Sequence, residues 1–182
     1  MPIEISETSV ALVTIIVTVF GTLFGIYQYN KDQINRRKDT LMPLTSEFDD
    51  DANEMRIAKD LLDNYKFPKG YWDNPLVEYD WYEISNLEIF RHHEKKTIDD
   101  AGEQKIRESF DALLDFFGKV GYLLDVGLIK KKEIEYFRYY LDKTIDSEGV
   151  GLYVSNYEFP LYLNLLDKLN YKQKGYVKKE KR

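Results

Sequence analysis

The chain has 182 residues, 43% hydrophobic and 15% aromatic, with 26 Lys and Arg against 32 Asp and Glu for a net charge of −6. That balance argues against general nucleic-acid binding, which rests on Lys and Arg meeting phosphate. Cysteine is absent, which excludes a disulfide framework, a thiolate metal site and a cysteine nucleophile.

Residues 10–29 hold no Asp, Glu, Lys, Arg or His. A helix rises ~1.5 Å per residue, so this stretch matches a hydrocarbon core of ~30 Å. It reads as a transmembrane helix behind a short external tail, residues 1–9. A signal peptide needs a basic region before the apolar run and a small-x-small cleavage site after it. Here Glu4 and Glu7 precede the run, and Ile26, Tyr27, Gln28 and Tyr29 end it. A retained anchor is therefore expected over a signal peptide, and over a buried core helix of a soluble protein. The basic residues Lys31, Arg36, Arg37 and Lys38 all follow the run. Basic flanks collect on the cytoplasmic side. The expected placement is the inner membrane, N-terminus out and the main domain in the cytoplasm.

One face of the anchor is unlike lipid. Thr14, Thr18, Gly21, Thr22 and Gly25 recur at spacings of three and four, with Gly21 and Gly25 forming a Gly-x-x-x-Gly pair. Small residues let helix backbones approach closely, and threonine hydroxyls can bond across the contact. This stripe is the expected seam of a homo-oligomer.

Residues 30–43 read as a juxtamembrane helical connector that Pro43 interrupts or restarts. Residues 44–170 read as one helical domain, large enough to bury a core. Phe48, Met55, Ala58, Leu61 and Leu62 approximate one helical face, and Asp49, Asp50 and Asp51 suit a break or a new first turn. Turn signals fill 66–75. A helix is expected over 76–90, with Trp81, Ile84, Leu87 and Phe90 at helical spacing. The strongest element runs over 99–126, where Ile106, Phe110, Leu113, Leu114, Phe117, Val120, Gly121 and Leu124 form a wide apolar stripe. Gly118 and Gly121 lower its helix propensity by ~1 kcal/mol each against Ala, which a close helix crossing would justify. Gly127 is the expected left-handed cap. A further helix is expected over 130–145, a loop over 146–151, and a last helix over 161–169. Its start is marked either by Ser155 with Glu158 as a capping box or by Pro160. Residues 171–182 form a basic tail, expected to be disordered. The fold class is all-α: one anchor and a cytoplasmic bundle of about four or five helices.

The segment Phe116-Phe117-Gly118-Lys119-Val120-Gly121-Tyr122-Leu123-Leu124, then Gly127-Leu128-Ile129 and Tyr136-Phe137, resembles a family of short bacterial membrane-anchored helical proteins of unknown function. The resemblance implies a bacterial origin and assigns no reaction, so no catalytic residue is carried over.

Candidate chemistry is thin. His92 and His93 are adjacent, so on a helix they point about 100° apart and lack the spacing of a metal helix. Asp49, Asp50, Asp51 and Glu54 lack the calcium-loop pattern, and caps explain them without an ion. Gly149 and Gly151 lack the Lys and Ser/Thr of a phosphate loop. No catalytic residue, cofactor or metal is expected, and the chain is read as a non-enzyme. Tyr71, Trp72, Tyr79, Trp81 and Tyr82 either cover the core or form a partner surface, since Tyr and Trp anchor interfaces. The basic tail suits anionic lipid heads or serves as a solubilising end. The expected partners are membrane lipid, further copies of the chain, and a cytoplasmic protein or small-molecule signal. The leading expectation is a sensor–effector acting on the membrane. A passive tethered adaptor is the alternative, followed by a metal-dependent hydrolase.

Overall fold

The structure, a computed structural model, describes residues 7–50, 54–64, 67–68, 81–82 and 101–177. The chain divides into two compact units, Met1–Pro43 and Leu44–Arg182.

Helix α1, Glu7–Asp49, spans the division. Pro43 lies inside it; proline has no N–H to offer the preceding turn, yet the helix continues instead of breaking. Over residues 11–30 the apolar side chains are open on every face, among them Ile16, Phe20 and Phe24 at 45%, 68% and 63% exposure. Among the described residues this is the one helix long and apolar enough to cross a membrane, and none of its apolar stretch is buried in the chain.

The second unit is helical. It takes in residues 44–49 of α1, then α2 (Arg56–Leu62), α3 (Ala101–Asp125), a 3-10 helix (Lys131–Phe137), α4 (Arg138–Asp146), α5 (Glu148–Tyr157) and α6 (Pro160–Leu169). Between α2 and α3 the described residues include one two-residue antiparallel ladder, Phe67 opposite Tyr82 and Pro68 opposite Trp81. The helix expected over 76–90 is thus interrupted at Trp81–Tyr82, where backbone pairing overrides side-chain spacing. The rest of that stretch lies outside the described residues.

Helix α3 is the core. Ile106, Phe110, Leu113, Leu114, Phe117 and Val120 are fully buried and Gly121 is buried, as the periodicity predicts, while Leu124 at the end of the stripe is half-buried. The close crossing implied by Gly118 and Gly121 is made with α6. A Cβ on Gly118 would sit 2.9 Å from the Cβ of Leu161, and one on Gly121 the same distance from that of Leu165. The two helices run in the same direction, and Asp125 near the end of α3 pairs with Lys168 and accepts from Asn164. Gly127 caps α3 at φ +73°. Leu128 N–H reaches Leu123 C=O at 3.0 Å and Gly127 N–H reaches Leu124 C=O at 3.2 Å, satisfying carbonyls that the helix end would leave open.

Three expectations are corrected nearby. The helix expected over 130–145 starts as seven residues of 3-10 helix before becoming α4. The loop expected over 146–151 is the start of α5: Ser147 is its N-cap, accepting from Val150 N–H at 3.3 Å. Ser155 begins no helix. It is buried in α5 and donates to Gly151 C=O at 2.7 Å, while Pro160 opens α6.

The tail expected to be free over 171–182 differs over 171–177. Gln173 Nε2 donates to the carbonyls of Thr144 (2.9 Å), Ile145 (3.2 Å) and Ser147 (3.2 Å), and its Oε1 accepts from Tyr162 at 2.6 Å. Lys174 N–H also reaches Ile145 C=O at 3.0 Å, and Val177 N–H reaches Ser155 Oγ at 2.8 Å. The open carbonyls at the end of α4 thus find donors far along the chain. Residues 178–182 lie outside the described residues.

Candidate functional site

The stripe on α1 is small, and its hydroxyls are turned inward. Thr18 Oγ1 donates to Thr14 C=O and Thr22 Oγ1 to Thr18 C=O, each at 2.8 Å. Threonines that bond back onto their own helix have their donors satisfied locally, so cross-helix donation from Thr18 and Thr22, one half of the sequence argument, requires that these bonds open. Within 4 Å of a Cβ built on Gly21 or Gly25 the chain places nothing. In the flank, Lys31, Arg36 and Lys38 are exposed and Arg37 is half-buried.

The other candidates are placed only in part. Tyr71, Trp72, Tyr79, His92, His93 and Asp51 lie outside the described residues. Trp81 and Tyr82 are described only as backbone partners of the ladder. Asp49 accepts the hydroxyl of Tyr136, whereas Asp50 and Glu54 are exposed. Among the described residues no three His, Asp or Glu side chains converge on a point that would hold a metal.

A cluster that the sequence reading missed forms around the end of α1. The Phe48 ring lies 5.1 Å from Phe116, 6.4 Å from Phe117, 5.1 Å from Phe137 and 5.8 Å from Tyr140. Lys59 Nζ stands 4.7 Å over the same ring and donates to Phe48 C=O at 2.5 Å, placing a cation at the negative end of the helix. Glu47 pairs with Lys119 at 2.6 Å. Tyrosines close the rim. Tyr136 donates to Asp49, and Tyr139 and Tyr140 donate to the two oxygens of Asp63 at 2.6 and 2.8 Å. The Tyr140 hydroxyl is held well above its ordinary pKa, first by burial and then by its bond to Asp63. The legible signal was three tyrosines within five residues, 136, 139 and 140, beside Phe137; their partners, 76 to 87 positions away, carried none.

The far side of this same segment borders an open groove of about 280 Å³. Ile134, Leu141 and Leu169 supply its apolar walls, with Lys131, Arg138 and Tyr171 around them. Arg138 is paired with Glu135 at 2.8 Å and Asp142 at 3.4 Å, and its guanidinium lies 5.8 Å from the centre of the Tyr171 ring.

No family model, curated protein or solved structure matches the chain.

Proposed function

We propose that the chain is a single-pass membrane protein. Its anchor self-associates along Thr14, Thr18, Gly21, Thr22 and Gly25, and its helical domain, in the cytoplasm, receives a signal or partner. The observation that carries this reading is the apolar surface of α1, open on all faces over a length that matches a bilayer. Exposed to water, such a surface would far exceed the apolar patches of soluble monomers; in lipid it is at equilibrium with its surroundings. The basic flank sets the orientation. The small stripe, open at Gly21 and Gly25, sets the contact, because helices in lipid associate through close packing. The resemblance of the central segment to short bacterial anchored proteins fits the same layout.

The test uses the absence of cysteine. In bacterial membranes, single cysteines introduced as Thr18→Cys, Gly21→Cys or Gly25→Cys are expected to form disulfide-linked dimers, and Phe20→Cys is not. Ser46→Cys is expected to react with a membrane-impermeant maleimide only after the cells are opened. Labelling of Ser46→Cys in intact cells would overturn the orientation. Equal cross-linking at Phe20 would overturn the seam and leave a passive tether.

A further inference from the structure

The 3-10 helix runs for seven residues, Lys131–Phe137, beyond the three or four at which such runs usually stop. In this winding every third side chain lines up. Ile134 and Phe137 share a buried row, Glu135 and Arg138 share a second and pair at 2.8 Å, and Tyr136 stands in the third with its hydroxyl on Asp49. The segment lies between the groove and the end of α1. Ile134, Glu135 and Arg138 border the groove. Tyr136 and Phe137 hold the end of α1, the Phe137 ring at 5.1 Å from that of Phe48.

The groove differs in charge from the molecule around it. The chain carries −6, but the groove is bordered by Lys131, whose Nζ donates to Lys168 C=O at 2.9 Å, and by Arg138, which pairs with Glu135 in the groove and with Asp142 beside it. Lys130 and Lys132 flank Lys131 and are exposed. Ile134, Leu141, Leu169 and the Tyr171 ring offer apolar surface to a small molecule, and Lys131, Glu135 and Arg138 offer the polar groups that would orient it.

We propose that this groove is the domain's signal site, taking a small molecule with an apolar body and one anionic group, and that its occupancy reaches the end of α1 through rewinding of Lys131–Phe137. This rests on the reading of the domain as a signal receiver. The anion takes the place of Glu135 on Arg138, which keeps Asp142 at 3.4 Å on its other side. The Glu135–Arg138 pair is an i, i+3 pair, the spacing that 3-10 winding aligns; once displaced, Glu135 lies at i+4 from Lys131, the spacing that α winding aligns. The ligand thus makes a contact in one winding that Glu135 occupies in the other, which is the differential affinity that a population shift needs. Rewinding seven residues from ~2.0 to ~1.5 Å of rise shortens the segment by about 3.5 Å, drawing Tyr136 from Asp49 and Phe137 from Phe48.

The experiment is hydrogen exchange by mass spectrometry on the full-length chain in phospholipid nanodiscs, titrated with indole-3-acetate. Indole and tryptamine serve as the neutral and cationic counterparts. The expected result is a saturable change over residues 131–141 together with faster exchange over 44–49, both with the same half-saturating concentration. Indole and tryptamine are expected to give neither. Arg138→Gln is expected to raise that concentration at least tenfold, and Glu135→Gln, which removes the competing carboxylate, to lower it severalfold. No saturable response to indole-3-acetate, or an equal one to tryptamine, overturns the site. A response confined to 131–141 overturns the link to α1. Opposite shifts in the two variants are not expected of general destabilisation, which would move both the same way. Cysteine cross-linking of the anchor is read separately, so a failed seam and a failed groove are distinguishable.

Discussion

Phe48 is 5% exposed and touches three other phenylalanine rings and Tyr140. Removing a buried ring forfeits its transfer energy and leaves a cavity, so Phe48→Ala is expected to lower domain stability by about 3–5 kcal/mol, read as a fall in the urea midpoint of the helical signal. Gly151 is constrained differently. A Cβ there would overlap the carbonyl oxygen of Lys174, which is backbone and cannot swing aside. Gly151→Ala should therefore displace residues 171–177 despite its better helix propensity, seen as faster amide exchange at Lys174 and Val177. The tyrosines predict an alkaline response. Burial is the leading cause that raises Tyr140, Tyr153 and Tyr162 above the ordinary 10.0. With a folded pKa above the unfolded one, each contributes stability that is fully present below pH 10.0 and is lost as pH rises towards the folded value. Tyrosinate absorbance should accordingly lag in the folded chain, and the missing fraction should appear with loss of the helical signal.

Among the elements, α4 depends most on a distant residue. Its last carbonyls are served by Gln173 and by Lys174 N–H. Gln173→Ala leaves Tyr162 and those carbonyls without these donor and acceptor atoms, and a loss of about 1–3 kcal/mol is expected. Ser147→Ala removes only the cap of α5, worth about 1 kcal/mol. Comparing the two by denaturant titration separates a local cap from a long-range one. The same contrast explains what the sequence made legible. α3 was readable from its stripe, Gly127 from cap chemistry, and a close crossing, though not its partner α6, from two glycines that no isolated helix would favour. These signals are local. The start of α5 was misread because Gly149 and Gly151 resemble a turn; Gly151 is needed instead for contact with Lys174. The fastening of residues 171–177 was missed because composition made them look like a solvated tail, while the carbonyls that hold Gln173 belong to the backbone and leave no trace in the sequence. The Phe48 cluster and the groove assemble segments remote in sequence, so neither could be placed before the fold.

At the scale of the molecule, the two units do not share α1 equally. Its last two turns bring Leu44 and Phe48 into the domain core, at 2% and 5% exposure. A fragment starting at Asn30 should keep the folded domain, and one starting at Asp51 should not, which circular dichroism and thermal melting would read directly. In the membrane, Gly21→Ile with Gly25→Ile should abolish self-association without altering the melting of the domain, because nothing in the chain packs against either position.

The contribution of α1 to the core also fixes an order of events during synthesis. The ribosome delivers Phe48 long before α6, which begins at Pro160. At roughly 5–20 residues per second, the apolar end of α1 waits several seconds for Phe116, Phe117 and Phe137, and longer for the helix that closes over α3. Through that interval Leu44 and Phe48 have no finished core to enter, although the apolar stretch of α1 is already made. A slowed stretch of translation between α1 and α3 would lengthen this exposure, making codon usage there a determinant of yield.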